Sequence, residues 1–459
     1  MLTRTAVCAA TGASASGVIP EDFTGVSTDS RSIAPGDLFV ALRGDFHDGR
    51  DYASQAVQAG AHAVLVTAAI EGLPCLVVPD TLVAYGQIAA AHLRSLRSTG
   101  LQVVGLTGSS GKTTTKDLLS SVLGRRRRVV AAQGSLNNDI GLPATVLRAD
   151  ASTEVLVLEM GMRGLGHIQR LCEVAAPDIS VVLNVGHAHI GELGSQAAIA
   201  HAKAEIVEYA NVGAVAVLNG DDLRTRDMAA MAHGDVVFFG EGEDCSVRAT
   251  DVVMSEQGAA RFVLNLPDGS ATAVELAVIG RHQVSNACAV AAVADLLGIS
   301  ADDIASGLMQ AQVSSHWRMQ LSHTRYGVTV LNDAYNANPD SMAAALRALA
   351  QFPCEGKRVA IVGEMLELGQ FSQQAHTLVG SMASELGIDH VIAVGHCAEA
   401  IMQGRSGADT DVVSNAVQAT QLALSLLAPG DVVLVKASRS VGLERVGIDL
   451  VQQFGTVSA

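Results

Sequence analysis

Residues 103–115 read V-V-G-L-T-G-S-S-G-K-T-T-T, an apolar run ending in glycines, a lysine and hydroxyls. The apolar positions Leu118, Leu119, Val122 and Leu123 follow at helical spacing. Strand, tight loop and helix start, in that order, present backbone N–H groups and the positive end of a helix dipole to an anion. The compact form T-G-x-x-G-K-T runs from Thr107 to Thr113, so Thr107, Gly108, Ser109, Ser110, Gly111, Lys112, Thr113 and Thr114 make the candidate phosphate cradle. Lys112 brings a point charge to the outer phosphates, and the Thr113 hydroxyl can ligate Mg²⁺. The pattern predicts a nucleoside triphosphate site.

Further along, Glu159 ends the run V-L-V-L-E. A carboxylate there can reach the metal that Thr113 holds; the alternative is an ordinary surface glutamate. His187 and His189 follow a run that ends at Asn184. For them a metal or phosphate contact stands beside the plainer reading of two loop histidines. Lys203, in A-H-A-K-A-E, reads by itself as a solvated helix lysine.

The elements that must position these groups are legible as apolar runs. Residues 155–158, 179–183 and 214–218 are continuous apolar stretches, each followed by a polar residue (Glu159, Asn184, Asn219). Such runs suit a parallel sheet whose ligands lie beyond the strand carboxyl ends. Residues 246–279 switch to alternation (Phe262, Leu264, Leu266), the mark of a small antiparallel insertion, and a helix over 284–297 closes this unit. Upstream, 38–42, 63–66 and 76–78 read as strands and 82–96 as a helix leading to the linker Ser98-Thr99-Gly100. Downstream, 359–362, 391–394 and 432–435 are apolar strands between helical patterns. The expected fold is α/β in three domains: a small α/β N-terminal domain (1–98), a central P-loop parallel-sheet ATPase domain (99–312) and a C-terminal Rossmann-like domain (313–459).

Bulk composition narrows the class. The chain has 459 residues, 49% hydrophobic but only 3% aromatic, which suits buried parallel strands. A net charge of −16 argues against a nucleic-acid partner. Arg125–Arg128 sits where the P-loop helix should end, as a favourable and solvated charge. Seven scattered cysteines without a C-x-x-C suit a reducing compartment, and no stretch is long enough to span a bilayer. The expectation is a cytoplasmic protein without membrane insertion.

T-G-S-S-G-K-T, Glu159-Met160-Gly161, Asn184-Val185-Gly186-His187-Ala188-His189, Ala202-Lys203-Ala204-Glu205 and Gly280-Arg281-His282 with Asn286 resemble the Mur ligases, ATP-dependent amide-forming enzymes of peptidoglycan precursor synthesis. Asp333-Ala334-Tyr335-Asn336-Ala337-Asn338-Pro339-Asp340-Ser341-Met342 resembles the signature of the member that adds D-alanyl-D-alanine to UDP-N-acetylmuramoyl-tripeptide. Gly363-Glu364-Met365-Leu366-Glu367-Leu368-Gly369, His376 and Lys436-Ala437-Ser438-Arg439 are similar to the same member, so the resemblance covers nearly the whole chain.

That resemblance implies ATP as the energy source, with two Mg²⁺ ions and a monomeric chain. It implies that Lys112 and the loop amides hold phosphates and that Thr113 and Glu159 bind one Mg²⁺. His189 matches the histidine near a second ion, and Lys203 matches the family's carbamylated lysine, a hard oxygen ligand once modified. Asn286, Arg318 and Asp333 meet the nucleotide, while Ser30 and Arg31 meet the UDP-sugar. Asn137 and Asn138 face the reacting peptide. Tyr335, Asn336, Asn338, Ser341, Lys436, Ser438 and Arg439 belong to the substrate side. This chain departs from the family pattern at Gln283, His187, Ala437 and Arg50. Two other readings stand beside this one. The member that adds the third peptide residue would carry a D-N-P-R-like motif, absent here, and a P-loop NTPase switch would need neither Lys203 nor the Asn/Tyr cluster.

Overall fold

The computed structural model describes residues 2–44, 46–406 and 409–456. Three large sheets organise them, beside a two-stranded pairing of Leu2–Thr3 with Asp22–Phe23. The first has five strands in the order β1-β5-β4-β3-β2: β1 (Ser14–Ser16), β2 (Val26–Ser27), β3 (Leu38–Val40), β4 (Ala63–Val66) and β5 (Cys75–Val77). Only β1 runs antiparallel to its neighbour. Helix α1 (Thr81–Arg97) then crosses to the second sheet. Its Ala84, Tyr85 and Ile88 pack into the first core, whereas Ala89, Leu93 and Leu96 pack into the second. One amphipathic helix therefore belongs to two cores, which the linker reading at 98–100 did not anticipate.

The second sheet has nine strands; β6 (Gln102–Thr107) is third from one edge, with Val103, Val104 and Leu106 fully buried. Beyond β6 the chain forms α2 (Lys112–Leu123), then β7 (Val129–Ala131), β8 (Val155–Glu159), β9 (Ile179–Val182), α3 (Gln196–Glu208), β10 (Val215–Asn219) and β11 (Val236–Gly240). β6 lies between β8 and β9 in parallel register, with Glu159 level with Leu106. Residues 246–279 do not form a separate insertion. β12 (Val247–Met254) pairs in parallel with β11 and carries the sheet onward into the antiparallel strands β13 (Ala259–Asn265) and β14 (Ala271–Ile279).

The alanine-rich α4 (Gln283–Leu296) is buried almost all round and shares a core with α2. Small side chains let these helices approach closely, which gives the low aromatic content a structural reason. Lys203, on α3, is only 1% exposed, so it is not a solvated lysine.

The third sheet has six strands rather than the three legible as apolar runs: β15 (Gln320–His323), β16 (Thr329–Asn332), β17 (Arg358–Val362), β18 (His390–Val394), β19 (Asp409–Val413) and β20 (Val432–Lys436), in the order β15-β16-β20-β17-β18-β19. β15 and β19 are polar edge strands, so apolarity alone does not mark them. Helix α5 (Pro339–Gln351) starts at the end of β16, with Asn338 and Ser341 forming a reciprocal cap. No helix among the described residues is long and apolar enough to cross a membrane.

Candidate active site

A cavity of about 860 Å³ opens beyond the carboxyl ends of the second sheet, walled on the other side by the third. The loop after β6 forms its floor. Gly108 has no room for a side chain, since a Cβ would lie 2.9 Å from Leu183 Cβ. Gly111 takes φ +82 and would place a Cβ 2.5 Å from Asn286 Oδ1. Asn184 ties the loop down: its Oδ1 accepts from the N–H groups of Ser109 and Ser110, both at 3.0 Å. Ser109 to Thr114 line the cavity; Thr107 is fully buried and its hydroxyl finds no partner among the described residues. Lys112 Nζ donates to Gly108 O at 2.6 Å. Burial pushes Lys112 below its ordinary pKa, opposed by the Glu159 charge.

Glu159 collects donors from three places. Thr113 Oγ1 donates at 3.0 Å, Ser135 Oγ at 2.9 Å and Asn137 Nδ2 at 2.7 Å. Arg318, arriving from the third sheet's side, donates to Thr113 Oγ1 at 2.9 Å. The facing hydroxyl and carboxylate are the hard oxygen pair that Mg²⁺ takes alongside phosphates and waters. No group of three or more His, Cys, Asp or Glu side chains able to hold a metal occurs among the described residues, so protein side chains would supply only part of a Mg²⁺ shell. Lys203 does not line the cavity and has no hydrogen bond or ion pair among the described residues. Burial, and then the charge of Lys112, push it well below the usual lysine range. A neutral amine is the form that adds carbon dioxide; as an ammonium Lys203 does not fit a cation site.

His189 lines the cavity, and its Nδ1 lies 2.7 Å from Glu367 Oε2. Asn138 caps the helix Gly141–Val146 through its Oδ1, 2.9 Å from Gly141 N. Asn286 Nδ2 donates to Gln283 Oε1 at 2.8 Å, so the longer amide of Gln283 still meets its neighbour. From the third sheet, Asp333 and Lys436 form an ion pair of 2.6 Å, and Lys436 also donates to Asn336 O at 2.9 Å. Lys436, 2% exposed, thus holds the 333–336 loop rather than standing free. Ser438 Oγ accepts from Leu366 N and donates to Ala337 O. Asn338 Nδ2 donates to Ser109 O at 3.1 Å, joining the helix cap to the phosphate loop. Arg318 lies over the Tyr335 ring at 4.2 Å and Arg439 over Trp317 at 4.3 Å. Asn336 and Ser341 also line the cavity.

Ser30 and Arg31 do not line it; Arg31 pairs with Asp29 at 2.8 Å on the first sheet's side. Asn184, Ser135 and Glu367 line the cavity, and Trp317 backs it through Arg439, without having been singled out as site residues. Asn184 shows the same signal as Glu159, a polar residue ending an apolar strand, and Glu367 lies in the Gly363–Gly369 segment quoted for the resemblance; Ser135 and Trp317 have no local signature.

Against this geometry, three family descriptions match in chain order: Mur ligase family, catalytic domain, over residues 22–91; Mur ligase middle domain over 106–294; and Mur ligase, glutamate ligase domain over 317–439. The chain belongs to the Mur ligase family. Within it, the chain is 40% identical to the UDP-N-acetylmuramoyl-tripeptide--D-alanyl-D-alanine ligase of Mycobacterium tuberculosis H37Rv, covering 98% of each chain. It is 36% identical to the ligase of that name in Escherichia coli, covering 94% of each. A crystal structure of MurF from Acinetobacter baumannii superposes with a TM-score of 0.91 at 33% identity, covering 98% of each chain. MurF from Thermotoga maritima in complex with ADP gives 0.83 at 30% identity, covering 94% of this chain and 97% of that one.

Proposed function

We infer that the chain is an ATP-dependent ligase that joins D-alanyl-D-alanine to UDP-N-acetylmuramoyl-tripeptide, acting in the synthesis of peptidoglycan precursors. The observation that carries this reading is the shared cavity: the phosphate loop with Glu159 on one wall, and Asp333, Tyr335 and Asn338 on the other. Relatives named for this reaction over almost the full chain support the same conclusion.

A carboxylate resists amine attack because no good leaving group is present. The tripeptide carboxylate oxygen attacks the γ-phosphorus of ATP, the bond to the β-phosphate oxygen breaks, and ADP leaves. The amine of D-alanyl-D-alanine then attacks the acyl phosphate carbon, loses a proton, and expels phosphate as the amide forms. The residues supply position and charge. Lys112 turns from Gly108 O to the outer phosphates, and the loop N–H groups hold them. Thr113 and Glu159 would hold Mg²⁺, whose contribution is neutralising phosphate charge. Arg318 reaches the same phosphates from the opposite wall, Asn286 and Asp333 meet the nucleoside end, and Asn137 steadies Glu159. His189 and a carbamate on Lys203 would serve a second ion. Tyr335, Asn336 and Arg439 face the peptide substrates. Ser30 and Arg31 take the UDP-sugar, which places that end outside the main cavity. The three units 1–98, 99–312 and 313–459 divide this work between UDP-sugar, ATP and dipeptide. We assign it to the cytoplasm, where ATP and the UDP precursor are available, as a monomer.

The test is oxygen tracing. With ¹⁸O in the tripeptide carboxyl, one label should appear in released phosphate, and release should require both the UDP-peptide and D-alanyl-D-alanine. Phosphate release that ignores both substrates would instead support an NTPase switch.

A further inference from the structure

We propose that Glu205 is a positioning residue for the UDP-linked peptide: from α3 it caps the helix His167–Val174 and so fixes the cavity wall over which that substrate lies. The identity of the substrate rests on the ligase reading; the cap does not.

Helix His167–Val174 begins without a cap of its own. Gly166, at its N-cap, takes φ +76 and has no side chain to offer. Gln169, at the third helical position, spends its amide on Glu173 Oε1 at 3.1 Å. A capping box would satisfy the N–H groups of these two positions reciprocally. Glu205 performs both halves of that task from another helix: Oε1 accepts from Gly166 N at 2.6 Å and Oε2 from Gln169 N at 3.0 Å. Glu205 is 5% exposed, so water competes little for either oxygen. A carboxylate in this place also meets the positive end of the helix dipole.

What the cap holds is a wall of the site. From Glu159 the chain passes through Gly161, Met162 and Arg163 to His167 and Leu171, all of which line the cavity. Gly161 N donates to Asn137 O at 2.8 Å, so this stretch and the Asn137–Asp139 loop form one surface. Behind it lies the first unit. A Cβ on Gly86 of α1 would be 3.2 Å from Val174 Cγ2, and Ala144 and Leu147 pack against the first core. A precursor with its UDP end at Ser30 and Arg31, and its carboxylate at the γ-phosphate beside Lys112 and Glu159, must cross this wall. Loss of the cap frees the helix start and the wall with it, while the phosphate loop after β6 keeps its own ties to Asn184.

The full chain is tested as Glu205→Ala and Glu205→Gln, with melting curves to verify folding; should the alanine variant fail to fold, the glutamine variant carries the same test. Glutamine keeps one acceptor oxygen and turns an NH₂ toward the second donor. The KM for the UDP precursor should rise about 10-fold in Glu205→Ala, the equivalent of one lost cap, and by less in Glu205→Gln. The KM for ATP and kcat should hold, because saturating precursor presses the wall back into place. Hydrogen exchange over residues 163–170, read by mass spectrometry, should quicken in the same order. A cap that matters only to folding would lower the active fraction, so that kcat falls while every KM holds. That result, or an unchanged precursor KM, overturns the proposal. Calorimetry with the UDP precursor alone separates the two readings: binding that weakens in Glu205→Ala, in a chain whose wild type fails to ligate, overturns the ligase reading and leaves this one standing.

Discussion

Lys112 spends its charge on a carbonyl of its own loop, Gly108 O, and is desolvated there. Already out of water, it has no hydration shell to shed when it turns from Gly108 O to a phosphate. Lys112→Ala should therefore reduce turnover by about 10³-fold or more, with binding of the UDP precursor retained because Ser30 and Arg31 lie elsewhere. Turnover paired with precursor affinity checks this, and near-normal ligation would remove the loop from the mechanism. Lys436 makes the complementary point. The resemblance implied a substrate contact; Lys436 lines the cavity, and its side chain is 3% exposed and paired to Asp333 at 2.6 Å. Breaking a buried pair by removing one partner leaves an uncompensated charge, at a cost of about 3–5 kcal/mol, so Lys436 contributes through the loop it holds.

The segment between β17 and α6 (Ser372–Glu385) depends on His376. Fully buried, His376 accepts from Met365 N at Nε2 (2.9 Å), and its Nδ1 lies 2.7 Å from Ser372 O. Both nitrogens are committed in the neutral ring, and burial lowers the pKa from its ordinary 6.5. The unfolded chain therefore takes up this proton first as the solution is acidified. The contribution is fully present above 6.5 and is lost as pH falls through the lower, folded value. Urea midpoints taken between pH 7.5 and 5 should fall more steeply for wild type than for His376→Asn, after allowing for the variant's lower starting stability. Parallel slopes would count against the neutral, committed ring.

Across the whole molecule, the second and third sheets are joined at the chemistry itself. Asn338 reaches Ser109 O, Arg318 reaches Thr113, and His187 Nδ1 lies 3.0 Å from Asp340 Oδ1. The connecting segment is held as well: Ser315 N donates to Asp117, whose partner Lys116 donates to Ala132 O and Gly134 O. The P-loop helix thus grips both the chain linking the domains and the loop leading to Ser135. Beside these polar contacts, Ile190 and Ile279 of the second unit pack against the third sheet's core, and contacts between domains of one chain are of the type that can open when ligands leave. Small-angle scattering should show the ligand-free chain as more extended than the chain with ADP and UDP precursor, and Asp340→Ala should widen the difference. Identical curves in all states would rule out closure.

Strands 155–159 and 179–182, the phosphate loop and its helix were legible because burial on both faces demands continuous apolar runs and an anion demands glycine, lysine and hydroxyl in order. The polar edges β15 and β19, the sharing of α1 between two cores and the burial of Lys203 were not, since each depends on what packs against it. By itself, then, the sequence determined the anion loop, the parallel architecture and the family signatures, because each shows in the types and spacing of residues close together in the chain. Only the tertiary structure decided that Lys436 serves Asp333 and that Glu367 meets His189, because partners 103 and 178 residues apart are chosen by the packing of domains and leave no periodicity to read.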